Sequence, residues 1–127
     1  VREKVNLVID ETQNNDGLTV NIALDYGGRM EIVNSVQKLA QQIEAGTLKP
    51  EQITEAEIEK QLYTAHQPDP DLFIRPGGER RVSNFLLWQL AYAELYFTDV
   101  YWPDFTEENF LTALKEYQTR ERRFGGL

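Results

Sequence analysis

Residues 71–105 read DLFIRPGGERRVSNFLLWQLAYAELYFTDVYWPDF, and this stretch decides the fold class. Residues 71–75 (DLFIR) form a short apolar run that stops at Pro76-Gly77-Gly78, which is turn chemistry after a strand. Ser83 then stands as a candidate N-cap. Residues 85–93 are apolar nearly all round, so a helix buried on most faces is expected there. Leu95-Tyr96-Phe97 returns to a strand, and residues 99–105 make a loop anchored by Trp102 and Pro103.

The flanks repeat this alternation. Residues 1–15 read as the tail of a polar helix, and Asn15-Asp16-Gly17 as a turn. Residues 18–24 (LTVNIAL) are a strand candidate, followed by a loop at 25–29. Residues 30–45 carry Ile32, Val33, Val36, Leu39, Ala40 and Ile43 at helical spacing, with Gly46 as a stop. Thr54 and Glu57 have capping-box spacing for a helix through Leu62, which Pro68-Asp69-Pro70 breaks. Phe110, Leu111, Leu114 and Tyr117 mark a last amphipathic helix, ahead of a basic tail, Arg120-Glu121-Arg122-Arg123, and Phe124-Gly125-Gly126. Strands alternating with helices predict an α/β fold, a mainly parallel sheet flanked by helices.

Composition narrows the function. The 127 residues fit one domain or part of one. A net charge of −8 argues against a nucleic-acid partner. There are no cysteines, which excludes disulfides, thiolate metal sites and thiol nucleophiles, and is compatible with a reducing cytosol. No apolar run approaches the ~20 residues that span a membrane. The chain begins at Val1 rather than Met, so a missing leader carries no weight.

The densest chemistry lies in Arg75-Pro76-Gly77-Gly78-Glu79-Arg80-Arg81-Val82-Ser83. It sits where a strand ends, and in open α/β sheets ligands bind beyond the carboxyl ends of strands. Glycines let backbone approach a ligand, arginines offer paired donors to phosphate oxygens, and Ser83 adds a hydroxyl. The loop is neither a Walker A motif nor a GxGxxG fingerprint, which leaves ATP and NAD without support. On physics alone, phosphate binding and a solvated loop with surface ion pairs are equal alternatives. His66, the only histidine, has no partner at metal spacing and reads as a plain loop residue. Phe85, Leu86, Trp88, Leu90 and Tyr92 fit core or dimer contact better than a lipid path. Tyr26 and Arg29 fit a structural or a functional role equally.

The wording of this region resembles the cis-prenyltransferase family, the undecaprenyl diphosphate synthases. The family's Arg-x-Gly-Gly-Glu-x-Arg-x-Ser-Asn-Phe run is matched by Arg75, Gly77, Gly78, Glu79, Arg81, Ser83, Asn84 and Phe85. Trp88, Tyr96, Phe97, Trp102, Pro103, Asp104 and Phe105 follow in the family's order. Asn21, Tyr26, Gly27, Gly28 and Arg29 resemble an earlier segment of it. Pro76 stands where Thr is common, and Met30 where an aromatic is frequent.

The resemblance implies a Mg²⁺-dependent transferase that adds isopentenyl diphosphate to an allylic prenyl diphosphate with cis geometry. Its product would be the undecaprenyl carrier of bacterial cell-wall synthesis. It also implies the cis-prenyltransferase fold, with residues 1–127 as the C-terminal portion of a single domain. Arg75, Arg81, Val82 and Ser83 fall where the family binds the isopentenyl diphosphate. Gly77, Gly78, Glu79 and Asn84 fall in the supporting loop, and Glu94 at a Mg²⁺ carboxylate. Arg123 and Gly125 match a C-terminal Arg-x-Gly element that reaches the same diphosphate across a homodimer. The family's catalytic aspartate belongs to an Asp-Gly-Asn-Gly-Arg-Trp segment that this sequence lacks, so no catalytic residue is expected in it. The chain alone is expected to be inactive. A cytoplasmic protein, peripheral at the inner face of the membrane, is also implied. A non-catalytic partner subunit of the same fold, a short-chain cis-prenyl diphosphate synthase and an unrelated anion-binding module are the alternatives.

Overall fold

The computed structural model describes residues 2–120. Its centre is a parallel pair of strands, β1 (Leu72–Arg75) and β2 (Glu94–Phe97). Leu72 lies opposite Glu94, and Arg75 opposite Phe97. Bonds at both ends extend the pairing: Glu94 N–H donates to the Asp71 carbonyl at 2.9 Å, and Thr98 N–H to the Arg75 carbonyl at 3.1 Å. Parallel neighbours need a crossover, and residues 76–93 provide it.

Side chains alternate between the faces of a strand, so Phe73, Arg75, Leu95 and Phe97 share one face. Leu72, Ile74, Glu94 and Tyr96 share the other. Phe73 meets Phe97 edge to face, with ring centroids 6.2 Å apart, and lies 6.3 Å from Phe85 of the crossover. The Arg75 face is therefore the one the crossover covers.

The described residues also form four α-helices, α1 (Arg2–Thr12), α2 (Gly28–Glu44), α3 (Glu55–Glu59) and α4 (Glu107–Thr119), of which α4 packs on β2 and α3 on α2. Their ends follow local chemistry. Thr54 accepts from the Glu57 N–H at 3.4 Å at the start of α3. At α4, Thr106 Oγ1 accepts from Asn109 N–H at 3.4 Å while Asn109 Oδ1 accepts from Thr106 N–H at 2.9 Å, a reciprocal capping box. Gly46, at φ +70°, ends α2 by donating to the Ile43 carbonyl at 3.0 Å. Among the described residues, no helix is long and apolar enough to cross a membrane.

Three expectations are corrected. The strand expected at residues 18–24 is extended chain without ladder partners among the described residues. Leu18, Val20, Ile22 and Leu24 are all exposed. β-branched residues favour a strand only when a neighbouring strand is present, and none pairs with this segment among the described residues. The helix expected at residues 85–93 is a succession of turns. It is entered through Ser83, Asn84 and Leu86, all at positive φ (50°, 62° and 45°). Ser83 is thus not a helix N-cap, since left-handed residues cannot start an α-helix in that position.

The third correction concerns α2. Its inward face is Gly28, Glu31, Ser35 and Leu39, spaced three and four apart. Val33 and Val36 of the apolar stripe, with Met30, are exposed. Packing has turned a largely polar stripe inward because Glu31 finds hydrogen-bond donors there. This yields a direct test. Leu39→Ala should destabilise the fold by about 2–5 kcal/mol, and Val36→Ala by no more than about 0.5 kcal/mol. Denaturant unfolding of the two variants measures both, and the reverse order would place the apolar stripe inward.

Candidate functional site

The loop after β1 folds back on the strand that emitted it. Arg75 Nη1 donates to the Ser83 hydroxyl at 2.7 Å and, in a close contact, to the Arg81 carbonyl. Both bonds use one nitrogen, and no bond of Nε or Nη2 is seen among the described residues. A guanidinium carries five donors in a rigid fork, so Arg75 keeps donors for an anion while its orientation is fixed. Gly77 N–H donates to the Val100 carbonyl at 2.8 Å, and Gly78 N–H to the Thr98 carbonyl at 2.9 Å. These bonds tie the loop to the segment leaving β2. They require φ of +96° and +77°, which glycine adopts without a Cβ clash.

The Arg81 guanidinium lies 2.6 Å from Glu79, both side chains being largely exposed. An exposed pair of this kind contributes little, about 0–1 kcal/mol, so Glu79 holds Arg81 only weakly. Val82 is half-buried between Arg81 and Ser83, and its carbonyl accepts from Phe85 N–H at 3.1 Å. The structure thus brings together Arg75, Arg81, Val82 and Ser83 at the carboxyl end of β1, with Gly77, Gly78 and Glu79 shaping the loop.

Asn84 joins this loop to α2. Its carbonyl accepts from Gly28 N–H at 2.7 Å and its side-chain Oδ1 from Arg29 N–H at 2.9 Å. Two of the unpaired donors of the first helical turn are satisfied in this way from 55 residues away.

Beneath the clamp lies a buried polar cluster that sequence reading missed. Glu31 is 1% exposed. Its carboxyl oxygens accept from the Tyr26 hydroxyl at 2.5 Å, the Tyr63 N–H at 2.8 Å and the Gln89 amide at 3.2 Å. Gln89, also buried, donates in addition to Thr64 Oγ1 at 3.0 Å. Gln89 Oε1 and Ser35 Oγ are buried without a hydrogen-bond partner among the described residues. One signal was available: Gly28, Glu31, Ser35 and Leu39 have the spacing of a single helix face. Burial, and then the bond to Glu31, hold the Tyr26 phenol well above the usual tyrosine range.

Glu94 lies elsewhere. It is the first residue of β2 rather than a helix-end carboxylate. It sits three residues along the register from Arg75, roughly 10 Å, on the opposite face of the strand pair. Its Oε2 accepts from Arg120 Nη1 at 2.9 Å, and Arg120 Nη2 reaches Glu116 at 2.5 Å. Among the described residues no cluster of three or more His, Asp or Glu side chains could hold a metal ion. A lone, part-exposed carboxylate fits magnesium only as one oxygen ligand, because Mg²⁺ takes one or two carboxylates and completes its shell with phosphates and water. Arg123 and Gly125 lie outside the described residues.

His66 occupies a turn at φ 79°. Phe85 stacks edge to face on Tyr26 at 5.6 Å, next to a hollow of about 430 Å³ lined by Ile22, Leu24, Tyr63 and Leu86 among others. Trp88 and Leu90 are half-buried and Tyr92 is largely exposed.

Comparison with known proteins gives the family. A family model described as "Putative undecaprenyl diphosphate synthase" matches residues 1–125. An isoprenyl transferase of Geobacillus kaustophilus is 55% identical over 126 residues, covering 99% of this chain and 49% of that protein. A ditrans,polycis-undecaprenyl-diphosphate synthase ((2E,6E)-farnesyl-diphosphate specific) of Salmonella typhimurium is 57% identical over 115 residues, covering 91% of this chain and 46% of that protein. Among solved structures, lavandulyl diphosphate synthase from Lavandula x intermedia, in complex with dimethylallyl diphosphate, superposes with a TM-score of 0.95. It shares 42% identity over 98% of this chain and 53% of that one. A structure described as "a probable undecaprenyl diphosphate synthase" from Campylobacter jejuni has a TM-score of 0.81 and 39% identity, over 98% of this chain and 55% of that one.

The chain belongs to the undecaprenyl diphosphate synthase family of cis-prenyltransferases. It spans about half the length of the curated relatives it matches.

The buried cluster has a pH signature. The folded state keeps the Tyr26 proton where the unfolded chain loses it. Its contribution to stability is therefore full below the ordinary tyrosine value of about 10 and falls as pH rises past it. Between about pH 10 and 12, the denaturant midpoint of the wild type should fall more steeply than that of Tyr26→Phe. Parallel curves would remove the Tyr26–Glu31 bond as the cause.

Proposed function

We propose that this chain is the C-terminal half of a cis-prenyltransferase and supplies the site for the diphosphate of isopentenyl diphosphate. The whole enzyme would add such units to an allylic prenyl diphosphate and make undecaprenyl diphosphate for the bacterial cell wall. The observation that carries this is the Arg75 guanidinium, fixed on the Ser83 hydroxyl at 2.7 Å at the carboxyl end of a parallel strand. A fixed cation with spare donors, beside a second and weakly held arginine, is built for an anion with several oxygens.

The chain's own residues bind and orient. Arg75 and Arg81 would take the phosphate oxygens, Ser83 would donate its hydroxyl proton while its oxygen still accepts from Arg75, and Val82 would keep the two in register. Holding the diphosphate fixes the other end of the isopentenyl group, whose double bond must meet the allylic carbon. Glu94 would give magnesium one oxygen, the rest coming from phosphate and from a carboxylate outside this chain. Bound magnesium neutralises diphosphate charge.

The protein would act as a homodimer, peripheral at the inner face of the membrane where its product is used. Tyr92, Tyr101 and Trp102 are each about two-thirds exposed or more (67%, 68% and 75%). Aromatic surface of this kind favours an interface. Arg123 and Gly125 would complete the partner's site, a role that rests on the family motif.

Each arginine should contribute on the order of 1.5–3 kcal/mol to diphosphate binding. In the full-length enzyme, Arg75→Ala or Arg81→Ala should raise KM for isopentenyl diphosphate roughly tenfold or more. KM for the allylic substrate should move less. Unchanged kinetics in both variants would reject the site.

Glu94 and Arg75 lie on opposite faces of one strand pair, which supports a site shared between subunits. Mixed dimers test this. One chain carries Arg75→Ala and the other Glu94→Gln. If Glu94 serves its partner, both lesions meet in one site and the other is intact, so about half of wild-type activity per heterodimer returns. If Glu94 serves its own subunit, both sites are damaged and nothing returns.

A further inference from the structure

We propose that Asn84 is the positioning residue of the diphosphate loop: by bonding twice to the first turn of α2, it holds Ser83, and through Ser83 the Arg75 guanidinium, in binding geometry. This rests on the site proposed above and deepens it.

The backbone points to the need. Ser83, Asn84 and Leu86 all have φ between 45° and 62°. Residues with a Cβ avoid that region, and several so close together persist only where their surroundings over-determine them. Asparagine tolerates the region best of the three. Two sets of contacts supply the constraint. Arg75 holds the loop from the strand side, through Ser83 Oγ at 2.7 Å and the Arg81 carbonyl. Asn84 holds it from the helix side, through Gly28 N–H at 2.7 Å and Arg29 N–H at 2.9 Å.

The helix is shaped to receive the loop. A Cβ on Gly27 would come within 2.9 Å of Asn84 Nδ2. One on Gly28 would come within 2.9 Å of Leu87 Cγ, 3.1 Å of Leu87 N and 3.2 Å of the Asn84 carbonyl oxygen. The two glycines thus give Asn84 its seat. A diphosphate on the remaining donors of Arg75 pulls on the strand-side hold, and the Asn84 hold resists that pull. Ser83 then keeps its place beside the ligand because α2, not Arg75, carries it.

The test uses the full-length enzyme with Asn84→Gly, Asn84→Asp and Arg75→Ala. Glycine accepts the backbone angle and removes only the side-chain bond. Aspartate restores an acceptor to Arg29 N–H. Asn84→Gly should raise KM for isopentenyl diphosphate about tenfold and leave that for the allylic substrate within about twofold, and Asn84→Asp should recover most of the loss. If Asn84→Gly does not fold, Gly28→Ala pushes the loop from the helix side and should give the same selective rise. A lowered melting temperature with unchanged KM overturns the proposal, as does an equal rise for both substrates or a failure of aspartate to rescue. A null result for Arg75→Ala overturns the diphosphate site itself. A loss in Arg75→Ala beside a null in Asn84→Gly overturns only the positioning role.

Discussion

A carboxyl group withdrawn from water must be given donors, and Glu31 dictates much of the packing around it. It is 1% exposed, and no ion pair to it is seen among the described residues. Burial of such a group without hydrogen bonds costs several kcal/mol or more. Tyr26, Tyr63 and Gln89 come from three separate segments to supply them. Each of those segments is irregular, so none would hold its place by secondary structure alone. The cluster fixes the rotation of α2, and that explains why Val33 and Val36 stay outside while Ser35 goes in.

The same rotation sets the seat for the loop that follows β1. With Glu31 inward, Gly28 faces Leu87 and Asn84 at close range. Gln89 then anchors the crossover five residues beyond Asn84. The crossover is consequently pinned twice on α2, at its first turn and at Glu31. Its other end is pinned by Arg75 on β1. A segment with no regular hydrogen-bond ladder is thus held by side-chain and backbone bonds to two other elements.

Much of this was legible in the sequence, and the misses share one cause. The strands expected at 71–75 and 95–97, the stop at Gly46 and the cap at Thr54 rest on local chemistry that any few residues reveal. That Arg75 and Ser83 belong to one loop followed from composition and from the family motif together; the bond between them did not. The errors lie where a distant partner decides. Residues 18–24 have strand propensity but no strand beside them. Residues 85–93 have an apolar pattern, yet entry through left-handed Ser83 and Asn84 and attachment to Glu31 prevent a regular helix. The α2 face was misread because periodicity counts apolar residues, and the buried face here is chosen by a carboxyl group.

Glu94 shows how far geometry extends a motif. The family motif sets Arg75 and Glu94 nineteen residues apart in one chain and says nothing of distance in space. The parallel register sets them three residues apart along the sheet and on opposite faces. Arg120 then holds Glu94 from α4, so the carboxylate is fixed to the face that α4 covers. Side chains on opposite faces of a strand pair leave it in opposite directions, so a ligand meeting both would have to lie beyond the strand ends.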